Sequence, residues 1–232
     1  MDVRIRQWLA GILFPRYSKT LDRMNYNALQ KEWFLGQDKG RAHISDTKGN
    51  PYTSDLFNFL GSTIIKESPI DYFEFGVFEG DTMRKWTSMN AHPQSRFFGF
   101  DSFTGLHGDW YKGFPKGSFD TKGATPNIDD SRVQFIKGYF NQTLSDFLAK
   151  LKVTSRVVVF VDCDLYESAI YVLTMMNQVL SAGSVLIFDD FADPIGEFKA
   201  YLTWSKSYAR ATEVIGMTVE RGIPCQVAFR VI

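Results

Sequence analysis

Cysteine is scarce in this 232-residue chain, which holds only Cys163 and Cys225. Two thiols exclude a disulfide framework and any zinc site built on cysteines. They make a reducing, cytoplasmic setting the expected one. Histidine is nearly as rare. His43, His92 and His107 share no metal-ligand spacing, and they form no readable nucleophile–histidine–acid arrangement. His43 and His92 read as surface loop residues. Net charge is lacking too, since 26 basic side chains balance 26 acidic ones. No global field draws the chain toward nucleic acid, and no basic aromatic groove is readable, so no nucleic-acid partner is expected. No apolar run is long enough for a transmembrane segment. Internal repeats and low-complexity tracts are absent.

Aromatic residues, by contrast, are plentiful: 16% of the chain, with 21 Phe. Much of this belongs in a core, and some is expected to line a pocket. The length suits one domain with a sizeable core. Near the start, Arg4, Arg6, Arg16 and Lys19 flank a short apolar stretch from Trp8 to Phe14. A signal peptide needs a longer apolar core and a small-residue cleavage site. The stretch reads as a helix packing on the domain or on a second subunit, which makes a homo-oligomer the expectation. Weak peripheral contact with a membrane surface is the alternative.

From residue 72 onward strand and helix patterns alternate. Strands are expected at 72–75, 96–100, 132–136, 156–161 and 184–188, with helices at 81–89, 144–151, 168–180 and 197–208. Segments 213–218 and 226–231 read as a closing antiparallel hairpin. Such alternation implies right-handed crossovers and a sheet covered on both faces. The expected fold is α/β, Rossmann-like and doubly wound, with a mostly parallel seven-stranded sheet. Residues 1–50 read as a helical and irregular extension, with a loop over 37–50. Thr53 or Ser54 is placed to cap a helix. Residues 103–130 break the rhythm with Trp110, Tyr111, Phe114 and Phe119 among several glycines. A loop of that length is commonly functional, and a lid over the strand ends is expected.

Chemistry concentrates at the carboxyl ends of the expected strands, where open α/β sheets bind ligands. Asp162 and Asp164 follow the run from Arg156 to Val161. Asp189 and Asp190 follow the run from Ser184 to Phe188. Ionised carboxylates are costly to bury without a partner. Strands about 5 Å apart can bring such acids to one ion, and hard oxygen ligands select Mg²⁺, Mn²⁺ or Ca²⁺ over zinc. Asp162, Asp189 and Asp190 are the candidate ligands. Asp164, beside the ion, suits a general base.

Glu74-Phe-Gly76-Val-Phe-Glu-Gly80 lies between a strand and a helix. Gly76 permits a tight turn and close ligand approach, Gly80 lets the helix start pack near the strand, and Glu74 can face an amino-bearing ligand. Asp101 ends the second strand, where an acid can accept ribose hydroxyls. Its plainer role is to cap the following turn. Together these sites imply a nucleoside-containing ligand. The glycine spacing is not that of pyrophosphate binders.

These motifs resemble class I S-adenosylmethionine-dependent methyltransferases, and among them the macrocin O-methyltransferase family. The matching segments are 74–80, 100–106, 137–140 before Thr143-Leu144, 161–168 and 188–191, with Pro51-Tyr-Thr53 ahead of them. The resemblance covers roughly residues 50–230. It implies a methyltransferase domain over 51–232 and Mg²⁺-dependent (or Mn²⁺-dependent) transfer of methyl from S-adenosylmethionine to a sugar hydroxyl. The acceptor would be a glycan, a sugar nucleotide or a glycosylated natural product. It also implies Asp162, Asp189 and Asp190 as metal ligands and Asp164 as base, with Gly76, Gly80 and Asp101 on the cofactor, assisted by Ser102. Glu74 and Thr53 complete the candidate cofactor site. The alternatives are another vicinal-diol acceptor of catechol type, an NAD-dependent oxidoreductase, and a non-catalytic relative. The identity of the acceptor stays open.

Overall fold

The computed structural model describes residues 3–38, 40, 42–47, 55–111 and 113–232, with side chains from Ser18 onward. Thr53 and Ser54 lie outside the described residues. The chain divides into two compact units, residues 1–37 and 38–232. The first is a single helix, α1 (Val3–Leu35). Among the described residues no helix is long and apolar enough to cross a membrane.

The second unit is one eight-stranded sheet in the order β1-β7-β8-β6-β5-β2-β3-β4. Its strands are β1 (His43–Asp46), β2 (Ile70–Phe75), β3 (Arg96–Asp101), β4 (Val133–Lys137), β5 (Arg156–Val161), β6 (Val185–Phe188), β7 (Thr212–Glu220) and β8 (Ile223–Val231). Strands β2 to β6 are mutually parallel, and β8 runs antiparallel to β6 and β7. After the edge strand β1, the chain enters the middle of the sheet at β2, runs outward to β4, and returns to lay β5 on the other side of β2. The switch point therefore lies between β2 and β5, and ligand crevices open at such points.

The helices are α2 (Asp55–Phe59), widening into a π-helix over Leu60–Ile65, α3 (Asp81–Met89), α4 (Phe140–Lys150), α5 (Tyr166–Met176) and α6 (Glu197–Ser207). Strand alternation sorts the core. Ile70, Tyr72, Val158, Phe160, Val185, Ile187 and Ala228 share one face with Leu56, Phe57, Met83 and Trp86. On the other face Phe73 and Phe75 meet Phe98, Phe100, Phe140 and Phe147. Both faces of β2 and nearly all of β5 are buried, as the unbroken apolar runs require.

Three expectations need correction. The sheet has eight strands rather than seven, because His43–Asp46 pairs with β7 in parallel. That segment is polar enough to read as a loop, but an edge strand needs few buried side chains. His43 is accordingly no loop residue: its ring stacks on Phe59 at 4.3 Å. Helix α4 starts at Phe140, four residues before the apolar periodicity becomes visible at Leu144.

Candidate active site

The period of two that sorts the core also carries the polar residues to one place. Asp162 follows Phe160 by two positions and Asp189 follows Ile187 by two. Both therefore continue the same face one residue past the last rungs of the β5–β6 pair, with the Asp189 amide bonded to the Val161 carbonyl at 3.0 Å. Gln226, two before Ala228 on β8, comes alongside and donates from Nε2 to Asp189 Oδ1 at 2.5 Å. Asp164 and Asp190 sit in the turns beyond. One carboxylate oxygen each from Asp162, Asp164 and Asp190 lies within 4.8 Å of the others.

The sequence expectation grouped Asp162, Asp189 and Asp190 around the ion. The tightest set in the structure substitutes Asp164 for Asp189, whose Oδ1 is engaged by Gln226. Asp162 and Asp190 belong to both sets. Asp164 stands at φ +59°, a left-handed conformation that is uncommon outside glycine, though less so for Asp.

Burial and mutual repulsion raise the proton affinity of Asp162, Asp164 and Asp189. Burial, then the charge of Asp190, pushes Asp164 up to about 8. The same two causes push Asp189 up to about 7. Asp162 is raised by burial, then by Asp189, Asp164 and Asp190. Asp164 and Asp190 lie close enough that each disfavours the other's charge. A divalent cation would replace protons there. The donor set, carboxylate oxygens alone, fits a hard cation.

A fifth carboxylate was not singled out from the sequence. Glu197, wholly buried in the first turn of α6, accepts from the Cys163 amide through Oε1 and from the Asp190 amide through Oε2, both at 3.0 Å. Burial, then Asp190, raises its proton affinity. In sequence it looks like an ordinary acid at a helix N-terminus.

The four aspartates line one side of a cavity of about 670 Å³ over the strand ends, within the usual range for small-molecule sites. Gly76, Asp101 and Ser102 line it, as do Tyr139, Asn141 and Gln142 after β4 and Glu167 and Tyr171 on α5. The expected lid supplies His107, Trp110, Tyr111, Phe114 and Phe119. Its rings pack on each other, with Phe114 stacked on Phe119 at 5.5 Å. Trp110 Nε1 donates to Asp193 Oδ2 at 3.2 Å, tying the lid to the turn after β6.

Glu74 and Gly80, both expected at the cofactor, do not line this cavity. Glu74 is wholly buried beneath the turn, accepts from Tyr72 Oη at 2.8 Å through Oε2, and leaves Oε1 without a partner. Burial lifts it to about 8. Gly76 stands at φ +95°, and an added Cβ would fall 1.8 Å from the Asp162 carbonyl oxygen. Its missing side chain thus lets β2's turn pack on the acidic tail of β5. At Gly80, φ +82°, an added Cβ would fall 2.8 Å from Pro126 of the lid segment. Asp101 ends β3, and the capping role is the one its contacts show. It faces the cavity, and it caps turns: Oδ2 accepts from the Val77 and Phe78 amides at 2.8 and 2.9 Å, and Oδ1 from the Phe103 amide at 2.7 Å. Three of about four acceptor positions are used, leaving room for one further hydrogen bond rather than a clamp on two hydroxyls.

A mostly parallel sheet closed by an antiparallel hairpin, with its cavity at the switch point, is the Rossmann-like fold of the methyltransferases. The family model described as Macrocin-O-methyltransferase (TylF) matches residues 19–209, and the chain belongs to that family of O-methyltransferases. Among solved structures it is similar to the O-methyltransferase NovP, 22% identical over 78% of this chain and 80% of that one, with a TM-score of 0.57. It is also similar to the calicheamicin methyltransferase CalS11, 18% identical over 92% of each chain, with a TM-score of 0.58. An O-methyltransferase from Bacillus cereus in complex with SAH is 14% identical over 99% of this chain and 97% of that one, with a TM-score of 0.52. At these identities the likeness is one of fold. No curated protein matches the chain.

Proposed function

We propose that this O-methyltransferase transfers the methyl group of S-adenosylmethionine to a sugar hydroxyl, assisted by one Mg²⁺ or Mn²⁺ ion. The observation that carries the reading is the convergence of Asp162, Asp164 and Asp190 within 4.8 Å on the wall of the cavity that Gly76 and Asp101 also line. A methyl donor at the Gly76–Asp101 side and an acceptor at the aspartates would meet inside one enclosure.

Asp162 and Asp190 would hold the ion, with Asp189 or Asp164 completing the set. When bound, the cation supplies positive charge that acidifies a nearby hydroxyl. Asp101 accepts one hydrogen bond from the nucleoside. Asp164 takes the acceptor's proton on its carboxylate, and an affinity near neutrality suits that task. The residues hold the acceptor oxygen and methyl donor in a fixed geometry, which removes much of the entropic barrier. The lid aromatics exclude water and offer flat apolar faces to a sugar ring.

Those same faces would receive a planar catechol, which is the second reading. Incubation with methyl-labelled S-adenosylmethionine and two acceptor panels, sugar glycosides and catechols, separates them. Label on a sugar hydroxyl, lost on adding chelator, supports the proposal. Label on catechols alone contradicts the acceptor, and turnover indifferent to chelator contradicts the ion.

A further inference from the structure

Helix α6 begins against both acidic turns. Gly196 opens it, and an added Cβ there would meet Asp193 Oδ2 at 2.7 Å and the Asp164 carbonyl oxygen at 3.1 Å. The next residue, Glu197, reaches the amide of Cys163, which lies between Asp162 and Asp164, and the amide of Asp190. One carboxylate therefore joins the tail of β5 to the tail of β6. Glu197 has no exposed surface, so it cannot touch an acceptor or a cofactor in the cavity.

Chemical type and geometry both matter here. Two backbone N–H groups converge on two carboxylate oxygens, one each. A glutamine in the same place would keep one acceptor and turn an NH₂ group toward the second donor. An aspartate would keep both acceptors but fall one methylene short. A side chain chosen merely to fill space at a helix start carries neither requirement.

We propose that Glu197 is a positioning residue that fixes the separation of the two acidic turns, so that Asp162 from one and Asp190 from the other can share one divalent ion. The inference rests on the metal reading above. It concerns the spacing of the ligands rather than the chemistry. Residues behind metal ligands typically govern affinity by roughly tenfold to a hundredfold.

The test compares wild type, E197Q and E197D for Mn²⁺ binding by electron paramagnetic resonance, for S-adenosylhomocysteine binding by calorimetry, and for thermal unfolding in chelator. E197Q is expected to bind Mn²⁺ roughly ten to a hundred times more weakly, and E197D to lie between it and wild type. S-adenosylhomocysteine affinity should stay within about twofold in both variants, because Gly76 and Asp101 do not contact Glu197. A general loosening of the fold would weaken both ligands together and would overturn the inference. A folded variant of either type that binds Mn²⁺ like wild type would also overturn it. Wild type that binds no Mn²⁺ would instead remove the metal reading itself, and the two failures are told apart in one titration.

Discussion

Asp164 shows what a single residue contributes. Its backbone sits at φ +59°, and strain of this kind, of order 1–3 kcal/mol, persists where surroundings enforce it. Its surroundings are close: Gly196 at the start of α6 leaves only the room of a missing Cβ beside its carbonyl, and the Asp190 carboxylate lies beside its own. If it is the base, D164N should lower kcat by about three orders of magnitude or more, while calorimetry finds cofactor affinity within about twofold. Equal turnover would remove Asp164 from the mechanism. At this scale the sequence revealed the acids but not all their partners. The aspartates are legible because they end apolar runs. Glu197 and Gln226 are not, because their role depends on crossings 34 and 37 residues away in the chain. Motif membership put Glu74 and Gly80 at the ligand, whereas the structure has Glu74 buried on Tyr72 and Gly80 beside Pro126, both off the cavity lining.

Elements explain why the acids meet. Strand β5 was legible to the residue because an unbroken β-branched run admits little else, and α3 because its apolar spacing and preceding glycine agree. Strand β1 was not legible, being four residues long with only alternate partial burial. The joint between β2's turn and β5's tail depends on Gly76. In G76A the new Cβ would overlap the Asp162 carbonyl, and the left-handed backbone alone costs about 1–2 kcal/mol. Urea denaturation should show a loss of at least about 2 kcal/mol; an unchanged midpoint would refute the joint. The lid hangs on a smaller contact. W110F removes the hydrogen bond to Asp193, worth about 1 kcal/mol. Steady-state kinetics should show acceptor KM raised roughly fivefold, with kcat within about twofold, if the lid acts on binding. A change in kcat alone would contradict this.

The whole molecule carries a store of buried acid at one end of its sheet. Asp164 and Glu74 rise to about 8 and Asp189 to about 7, against about 4 in the unfolded chain. Between about pH 4 and pH 8 the folded state thus binds more protons than the unfolded one, and stability falls as pH rises through that window. Without metal, the melting temperature should be higher at pH 5 than at pH 8. Added Mg²⁺ should raise it more at pH 8, where fewer protons compete for the carboxylates. Melts that are flat with pH in chelator would show that these acids are not buried as described.

The central claim is that aspartates from two adjacent strand ends jointly hold a catalytic ion. Its most direct test is turnover after exhaustive chelation followed by graded return of Mg²⁺, run on wild type beside D162N and D190N. Wild type should fall to background and recover fully with saturating Mg²⁺, while neither variant recovers. Full activity in the chelated enzyme, or recovery of D162N and D190N at the wild-type Mg²⁺ concentration, would contradict the claim.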